Sequence, residues 1–150
     1  MDTVSKKRRS EIMRAVKSKE TQIEIAFRKK LWRQGFRYSK NSLKYFGKPD
    51  IVLTKYKTAI FIDSCFWHGC KLHCRLPEQN RTYWKKKIQG NRIRDRLVTK
   101  TFKKTGWTVV RLWEHQLNKD SDKAISKLTS LLKLNGKKVK TLRVYTVSNN

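Results

Sequence analysis

Helical periodicity appears first in the chain at residues 21–34. Apolar side chains recur there every fourth position, which predicts an amphipathic helix. Thr21 and Glu24 form the T-x-x-E pattern of a capping box at its start, and Gly35 ends it. The apolar face consists of Ile23, Phe27 and Leu31.

Two short apolar segments follow, after a predicted strand start at residues 36–38 and a loop at 41–48. Residues 50–53 and 58–63 are β-type runs separated by the turn Lys55-Tyr56-Lys57. So short a connection predicts an antiparallel pair. The second run is almost continuously apolar, which predicts a central position in the sheet.

The rest of the domain reads as a crossover unit and a final helix. A long basic helix capped by Asn80 or Thr82 is expected to run to about Lys104, followed by a strand at 107–113 that Glu114-His115 closes. The last helix is predicted over 120–133.

The chain therefore divides into three predicted parts. These are a basic N-terminal arm at 1–20, an α/β domain at 21–134 and a basic C-terminal tail at 135–150 with a β-like patch at 142–147.

The charge of the chain points to a polyanionic partner. Lys and Arg total 38 against 11 acidic residues, a net charge of +27. The positive charges repel one another unless a bound polyanion neutralises them, so nucleic acid is the expected partner. No apolar run is long enough to span a bilayer, and the N-terminus lacks the apolar stretch of a signal peptide. We expect a cytoplasmic protein without a membrane partner.

Cysteine and histidine side chains cluster between residues 65 and 74. Three cysteines within ten residues, an odd number, argue against a disulfide framework and favour a metal site. Zn²⁺ takes four N or S ligands in a tetrahedron. We expect structural zinc at Cys65, Cys70, His73 and His115. Cys74 is the alternative to His73 or His115, and free buried thiols are the alternative to a metal site.

Asp50, directly after Pro49, is the candidate for a second metal. It could cap a turn, or hold Mg²⁺, which prefers one or two carboxylates. Asp63, at the end of the next strand, would complete the layout of a PD-(D/E)-x-K nuclease core, but Cys65 stands where the lysine is expected. His68 is the candidate base, since its ordinary pKa is near neutrality. Its alternatives are a further metal ligand or a plain loop histidine.

Aromatic and basic residues suggest contacts to DNA. Phe66 and Trp67 are adjacent, and neighbours on a strand face opposite sides, so at least one should be exposed or wedged. Insertion between bases would open a duplex, whereas core packing is the alternative. Trp84 opens the basic helix, on which Lys87 is a candidate DNA contact. Met13 would pack on the core or act as a wedge.

Seven motifs, in order over about residues 2–118, resemble the very short patch repair (Vsr-type) endonuclease family. They are R-S-E-I-M at 9–13, T-x-x-E at 21–24, G-F-R-Y at 35–38, P-D at 49–50 with C-F-W-H-G-C at 65–70, N-R-T-Y-W at 80–84, N-R-I-R-D at 91–95 and G-W-T-V-V-R-L-W-E-H at 106–115.

The resemblance implies a restriction-endonuclease-like α/β fold, with a central mixed sheet flanked by helices and a structural zinc. It implies nicking of one DNA strand 5′ to the thymine of a T:G mismatch, which arises when 5-methylcytosine deaminates. A bacterial, nucleoid-associated monomer with a functional link to a cytosine-5 DNA methyltransferase is expected.

The resemblance also implies roles for individual residues. Asp50 and the main-chain carbonyl of Ile62 would hold Mg²⁺, His68 would be the general base, and Glu24 would hold a water in the outer coordination shell. Asn91 and Asp95 lie on the helix beside the site, where Asp95 would orient His68 or a water. The predicted DNA contacts are Met13, Phe66, Trp67, Trp84, Lys87 and Asn91, and the fourth zinc ligand is His115.

Three departures from the family pattern stand out. Ser64 replaces a usual glycine, Cys74 is an extra thiol, and residues 119–150 extend past the shared motifs. Two other functions fit the charge: a zinc-stabilised DNA-binding protein without catalysis, and an RNA-binding protein.

Overall fold

In a computed structural model, the described part of the chain comprises residues 5, 7, 8, 10, 11, 21–137 and 145–146. Its helices are α1 (Gln22–Arg33), α2 (Arg81–Lys104) and α3 (Glu114–Lys137), with a 3₁₀ turn at Thr54–Tyr56. Its strands are β1 (Ser39–Lys40), β2 (Ile51–Leu53), β3 (Thr58–Asp63), β4 (Thr108–Trp113) and β5 (Tyr145–Thr146). Met13 lies outside these residues, as does most of the predicted arm and tail.

The five described strands form one mixed sheet in the order β1-β2-β3-β4-β5. β1, β2 and β3 pair antiparallel, and β3, β4 and β5 pair parallel. The predicted antiparallel hairpin, the central position of Thr58–Asp63 and the crossover through the basic helix are therefore confirmed.

Helices cover both faces of the sheet because side chains alternate along its strands. On one face, Ile60 and Leu112 pack in a core with residues of α1 and α3. On the other face, Ala59, Phe61 and Val109 pack against α2. Arg111, between Val110 and Leu112, faces α2 as well. None of the described helices has the length and apolarity needed to cross a bilayer.

One local prediction was wrong, and two others gain detail. Residues 36–38 do not start a strand, because Phe36 packs into the core beneath α1 and the strand begins at Ser39. Glu114 and His115 directly follow β4, as predicted, and they form the first turn of α3, which begins at Glu114. The helix predicted from Asp120 is the part of α3 after a kink, where Asp120 Oδ1 accepts from the Lys123 N–H at 2.9 Å.

This topology gathers functional groups at one edge of the sheet. Parallel pairing brings the ends of β3 and β4 together, with Asp63 opposite Trp113. Antiparallel pairing places the start of β2 at the same edge, since Ile51 pairs with Ile60. The residues that follow β3 and β4, and the one that precedes β2, therefore meet.

Candidate active site and metal centre

A cleft with a volume of about 490 Å³ opens at this edge of the sheet. It lies between the start of α1, the ends of β3 and β4, and the middle of α2. The ionisable side chains in its wall that matter for chemistry are Glu24, Asp50, Asp63, His68, Asp95 and Arg111. The structure thus brings together the three residues predicted to be catalytic, which are 26 and 18 positions apart in the sequence.

Glu24 reaches the cleft from the first turn of α1. Thr21 caps this helix, its Oγ1 accepting from the Glu24 N–H at 3.3 Å and donating to Glu24 Oε1 at 3.1 Å. The other carboxylate oxygen lies 3.8 Å from Arg28 Nη1, and both side chains are buried. The predicted cap is confirmed, and it leaves Glu24 in the wall of the cleft.

Asp50 sits at the start of β2 and contacts the end of β3. Its Oδ2 accepts from the Ile62 main-chain N–H at 2.7 Å. The pKa of Asp50 is raised to about 6, chiefly by burial and also by the charges of Glu24 and Asp63, while the hydrogen bond from Ile62 acts in the opposite direction. Negative charge is therefore concentrated here, beside the main chain of Ile62. A buried carboxylate among other acids is suited to holding a divalent cation.

His68 is held by Asp95 of α2. His68 Nδ1 lies 2.6 Å from Asp95 Oδ2. Burial would raise the pKa of Asp95, but the hydrogen bond from His68 and the charge of Arg111 hold it below its usual range. An ionised carboxylate on Nδ1 fixes the imidazole orientation and leaves Nε2 as a proton acceptor.

The hairpin spacing suggested that Asp63 forms a metal-binding pair with Asp50. In the structure, Asp63 instead pairs with Arg111. Its two oxygens accept from Arg111 Nε at 2.6 Å and from Arg111 Nη2 at 2.7 Å. Burial would lower the pKa of Arg111, but these hydrogen bonds and the charges of Asp63 and Asp95 raise it. Sequence reasoning missed Arg111. The signal was a lone charge in the apolar strand T-V-V-R-L-W.

The predicted zinc ligands come together between the loop after β3 and the first turn of α3. One ligand atom from each of Cys65, Cys70, His73 and His115 lies within 4.8 Å of the other three. Cys65 Sγ is 3.2 Å from His115 Nδ1, and Cys70 Sγ is 3.7 Å from Nδ1 of both His73 and His115. Tetrahedral zinc implies separations of roughly 3.3–3.8 Å between ligand atoms. This donor set can therefore hold such an ion.

Other groups support this candidate metal centre. Cys74, the predicted substitute, instead places its Sγ 3.6 Å from the Phe66 carbonyl oxygen. The Cys65 N–H donates to Glu114 Oε2 at 3.2 Å, which ties the loop to α3. Desolvation and the nearby His73 lower the pKa of His115, which favours the neutral, ligating imidazole.

Phe66, Trp67 and Trp84 form one aromatic cluster. Their ring centroids are 5.2 to 5.7 Å apart, and Tyr83 extends the cluster at 5.2 Å from Trp84. The alternation argument for Phe66 and Trp67 was wrong, because β3 has ended and both residues lie in a turn. Both are half-buried against each other, at the mouth of the cleft that Trp67 lines.

Asn91 and Lys87 occupy different positions on α2. Asn91 Nδ2 donates to the Trp67 carbonyl at 2.9 Å, so it holds the aromatic turn in place while lining the cleft. Lys87 is exposed.

A second groove of about 310 Å³ lies farther along α2. Its exposed cationic side chains are Arg96, Lys100 and Lys103, whereas Arg111, which also lines it, is held by Asp63 and Asp95.

Comparison with known proteins found one matching family and several relatives. The sequence model of the family described as DNA mismatch endonuclease Vsr matches residues 1–75. The type II nicking enzyme V.NaeI of Lentzea aerocolonigenes is 43% identical over 122 residues, covering 78% of this chain and 74% of that protein. V.NmeAIP of Neisseria meningitidis, another type II nicking enzyme, is 44% identical over 117 residues, with coverages of 77% and 84%. DNA mismatch endonuclease Vsr of Escherichia coli is 34% identical over 116 residues, with coverages of 75% and 73%.

Proposed function

The chain belongs to the DNA mismatch endonuclease Vsr family, and from this premise we propose that it nicks one strand of duplex DNA 5′ to the thymine of a T:G mismatch. The observation that carries the proposal is the His68–Asp95 pair in one cleft with half-buried Asp50. A base and an acidic cation site facing the same space are what hydrolysis of a phosphodiester requires.

His68 is the proposed general base. Because Asp95 accepts a hydrogen bond from Nδ1–H, Nε2 is free to take a proton from the attacking water. Glu24, buried in the wall beside Asp50, would accept a hydrogen bond from a water in the cleft and so orient it.

Mg²⁺ is the proposed catalytic cation, and the residues present fit it. Its preferred ligands are oxygens, and the half-buried Asp50 carboxylate with the adjacent Ile62 carbonyl would hold it. When bound, Mg²⁺ supplies positive charge against the charge that develops on the phosphate. The raised pKa of Asp50, about 6, supports this assignment, because a nearby cation would offset the repulsion from Glu24 and Asp63.

Zn²⁺ is the proposed structural ion of the Cys65, Cys70, His73 and His115 set. The spacing of the four donor atoms supports it. Such an ion would join the loop after β3 to the first turn of α3. We further infer that the mixed sheet with its flanking helices belongs to the restriction-endonuclease-like class, with the cleft at the sheet edge where Asp50 and the ends of β3 and β4 meet.

The aromatic cluster and α2 are the proposed DNA-binding surface. Phe66, Trp67 and Trp84 form a packed, half-buried set whose rings would wedge against the mismatched step. Lys87 and the groove bearing Lys100 and Lys103 would lie along the phosphate backbone. T:G mismatches arise at 5-methylcytosine, so a cytosine-5 DNA methyltransferase is the proposed functional partner.

A nicking assay tests the proposal. Duplexes labelled on each strand in turn should be cut only when they carry T:G, only on the thymine strand and only with Mg²⁺. Asp50→Asn and His68→Gln should abolish cutting while retaining binding. If the unmodified protein binds the duplex but cuts it with none of the divalent cations tried, the endonuclease assignment for this chain is refuted. If it cuts matched duplexes at the same rate, the mismatch specificity is refuted.

A further inference from the structure

Four ionisable side chains close a ring beside the cleft. His68 Nδ1 lies 2.6 Å from Asp95 Oδ2, and Asp95 Oδ1 lies 2.9 Å from Arg111 Nη2. Arg111 also holds Asp63 through Nε and Nη2 at 2.6 and 2.7 Å. Asp63 Oδ1 then lies 3.6 Å from His68 Nδ1, which completes the ring.

His68 thus has two carboxylates within reach of one N–H. Asp95 is at hydrogen-bonding distance, and Asp63 is about 1 Å farther away. The two would hold the imidazole in different orientations, since one carboxylate comes from α2 and the other from the end of β3. A base displaced by about 1 Å can lose roughly 100-fold in rate.

Arg111 distinguishes the two carboxylates. It engages both oxygens of Asp63 but only one oxygen of Asp95, whose second oxygen remains for His68. We propose that Arg111 is a positioning residue that ties Asp63 away from His68 and orients Asp95, so that His68 Nε2 faces the cleft. The inference rests on the proposed role of His68 as the base.

Arginine is suited to this task at this position. Parallel pairing sets Arg111 opposite Phe61, two residues before Asp63, and its guanidinium lies 4.8 Å from the centre of the Phe61 ring. A planar guanidinium can donate two parallel hydrogen bonds to Asp63 from Nε and Nη2 while Nη2 also reaches Asp95. The side chain is 13% exposed, so water competes little for these contacts.

The first test concerns the imidazole itself and requires no catalysis. Long-range ¹H–¹⁵N spectra of the ¹⁵N-histidine-labelled full chain, with His68 assigned through His68→Gln, report which ring nitrogen carries the proton. We expect a hydrogen-bonded Nδ1–H and a bare Nε2 in the unmodified protein. An Nε2–H tautomer would overturn the proposal, whether or not the protein cuts DNA.

The second test separates positioning from binding. Arg111→Met should lower the single-turnover rate of T:G nicking about 10- to 100-fold. The dissociation constant for the same duplex, measured without divalent cations, should change no more than in Arg33→Met, an exposed arginine at the end of α1. An unchanged rate would overturn the proposal. If the unmodified chain cuts no duplex, the proposed function fails, and the spectra still test the ring.

A double variant tests the competition between the two carboxylates. In Arg111→Met, Asp63 is free to capture His68. Adding Asp63→Leu removes that competitor, and replacing a whole buried ion pair by apolar residues is often tolerated when removal of one partner is not. Asp63→Leu/Arg111→Met should therefore nick faster than Arg111→Met alone, with rates compared per folded molecule. A double variant as slow as the single one would refute the competition.

Discussion

Asp50, the proposed Mg²⁺ ligand, should destabilise the folded protein when its carboxylate is ionised. Burial raises its pKa from 3.8 to about 6. Between these two values the folded state binds more protons than the unfolded state, so stability falls as pH rises through that range. At pH 7.5 the ionised carboxylate then costs roughly 3 kcal/mol, and nothing is lost below about pH 3.8.

Asp50→Asn removes this cost while keeping the local geometry. The amide is neutral at every pH, and its Oδ1 can still accept from the Ile62 N–H. We expect a gain of about 2–3 kcal/mol at pH 7.5 without Mg²⁺, which is roughly 5–10 °C in Tm for a chain of this size. The gain should shrink towards zero as the pH approaches 4, because Asp50 is then protonated in the folded state.

Thermal unfolding followed by circular dichroism, from pH 4 to 8 in Mg²⁺-free buffer, measures this difference. Glu78→Gln is the matched control, because it removes one carboxylate from an exposed position and leaves the same net charge. Mg²⁺ should raise the Tm of the unmodified protein and of the control but not that of Asp50→Asn. An Asp50→Asn protein that is no more stable at pH 7.5, or equally stabilised at pH 4, would refute the reasoning.

Three further outcomes are expected. Chelation should lower the Tm. Metal analysis should find that zinc is lost in Cys70→Ser but kept in Cys74→Ser. Zinc lost in Cys74→Ser and kept in Cys70→Ser would make Cys74, not Cys70, the ligand. Gly69→Ala should destabilise by about 1–3 kcal/mol, because its φ is +66° and an added Cβ would lie 2.7 Å from Ile88 Cγ2, whereas Gly90→Ala, in open space on α2, should be neutral or stabilising in the same unfolding assay. Lys100→Gln/Lys103→Gln should reduce the slope of log affinity against log salt by about 0.9 for each lost phosphate contact, and a comparable effect of Lys123→Gln/Lys127→Gln on α3 would contradict a specific groove.

Local patterns predicted the elements that local physics controls. The hairpin of Ile51–Leu53 and Thr58–Asp63 follows from two β-type runs and a short turn. The capped helix α1 follows from its T-x-x-E start and its apolar face. The four candidate zinc ligands could be selected because few residue types bind zinc and three of them are close in sequence.

Contacts between distant residues were beyond the reach of such patterns. Arg111 and Asp63 are 48 positions apart and meet only because β3 and β4 pair in parallel with one particular register. Asn91 was predicted to contact DNA, and its bond to the Trp67 carbonyl depends on where α2 crosses the loop. The kink that separates His115 from the rest of α3 likewise depends on Asp120 capping a second helical segment.

The loop after β3 shows why the metal centre and the candidate base should be coupled. It is anchored at Cys65 and Cys70 to His115 of α3, at the Trp67 carbonyl to Asn91, and at Gly69 by close packing on Ile88. His68 lies between these anchors. The loop's own bonds, His68 N–H to the Ser64 carbonyl and Cys70 N–H to the Cys65 carbonyl, span the same few residues. So short a loop cannot relax at Cys65 and Cys70 without moving the residues between them. If the proposed zinc ion is bound there, its removal should therefore disturb His68 before it disturbs the sheet.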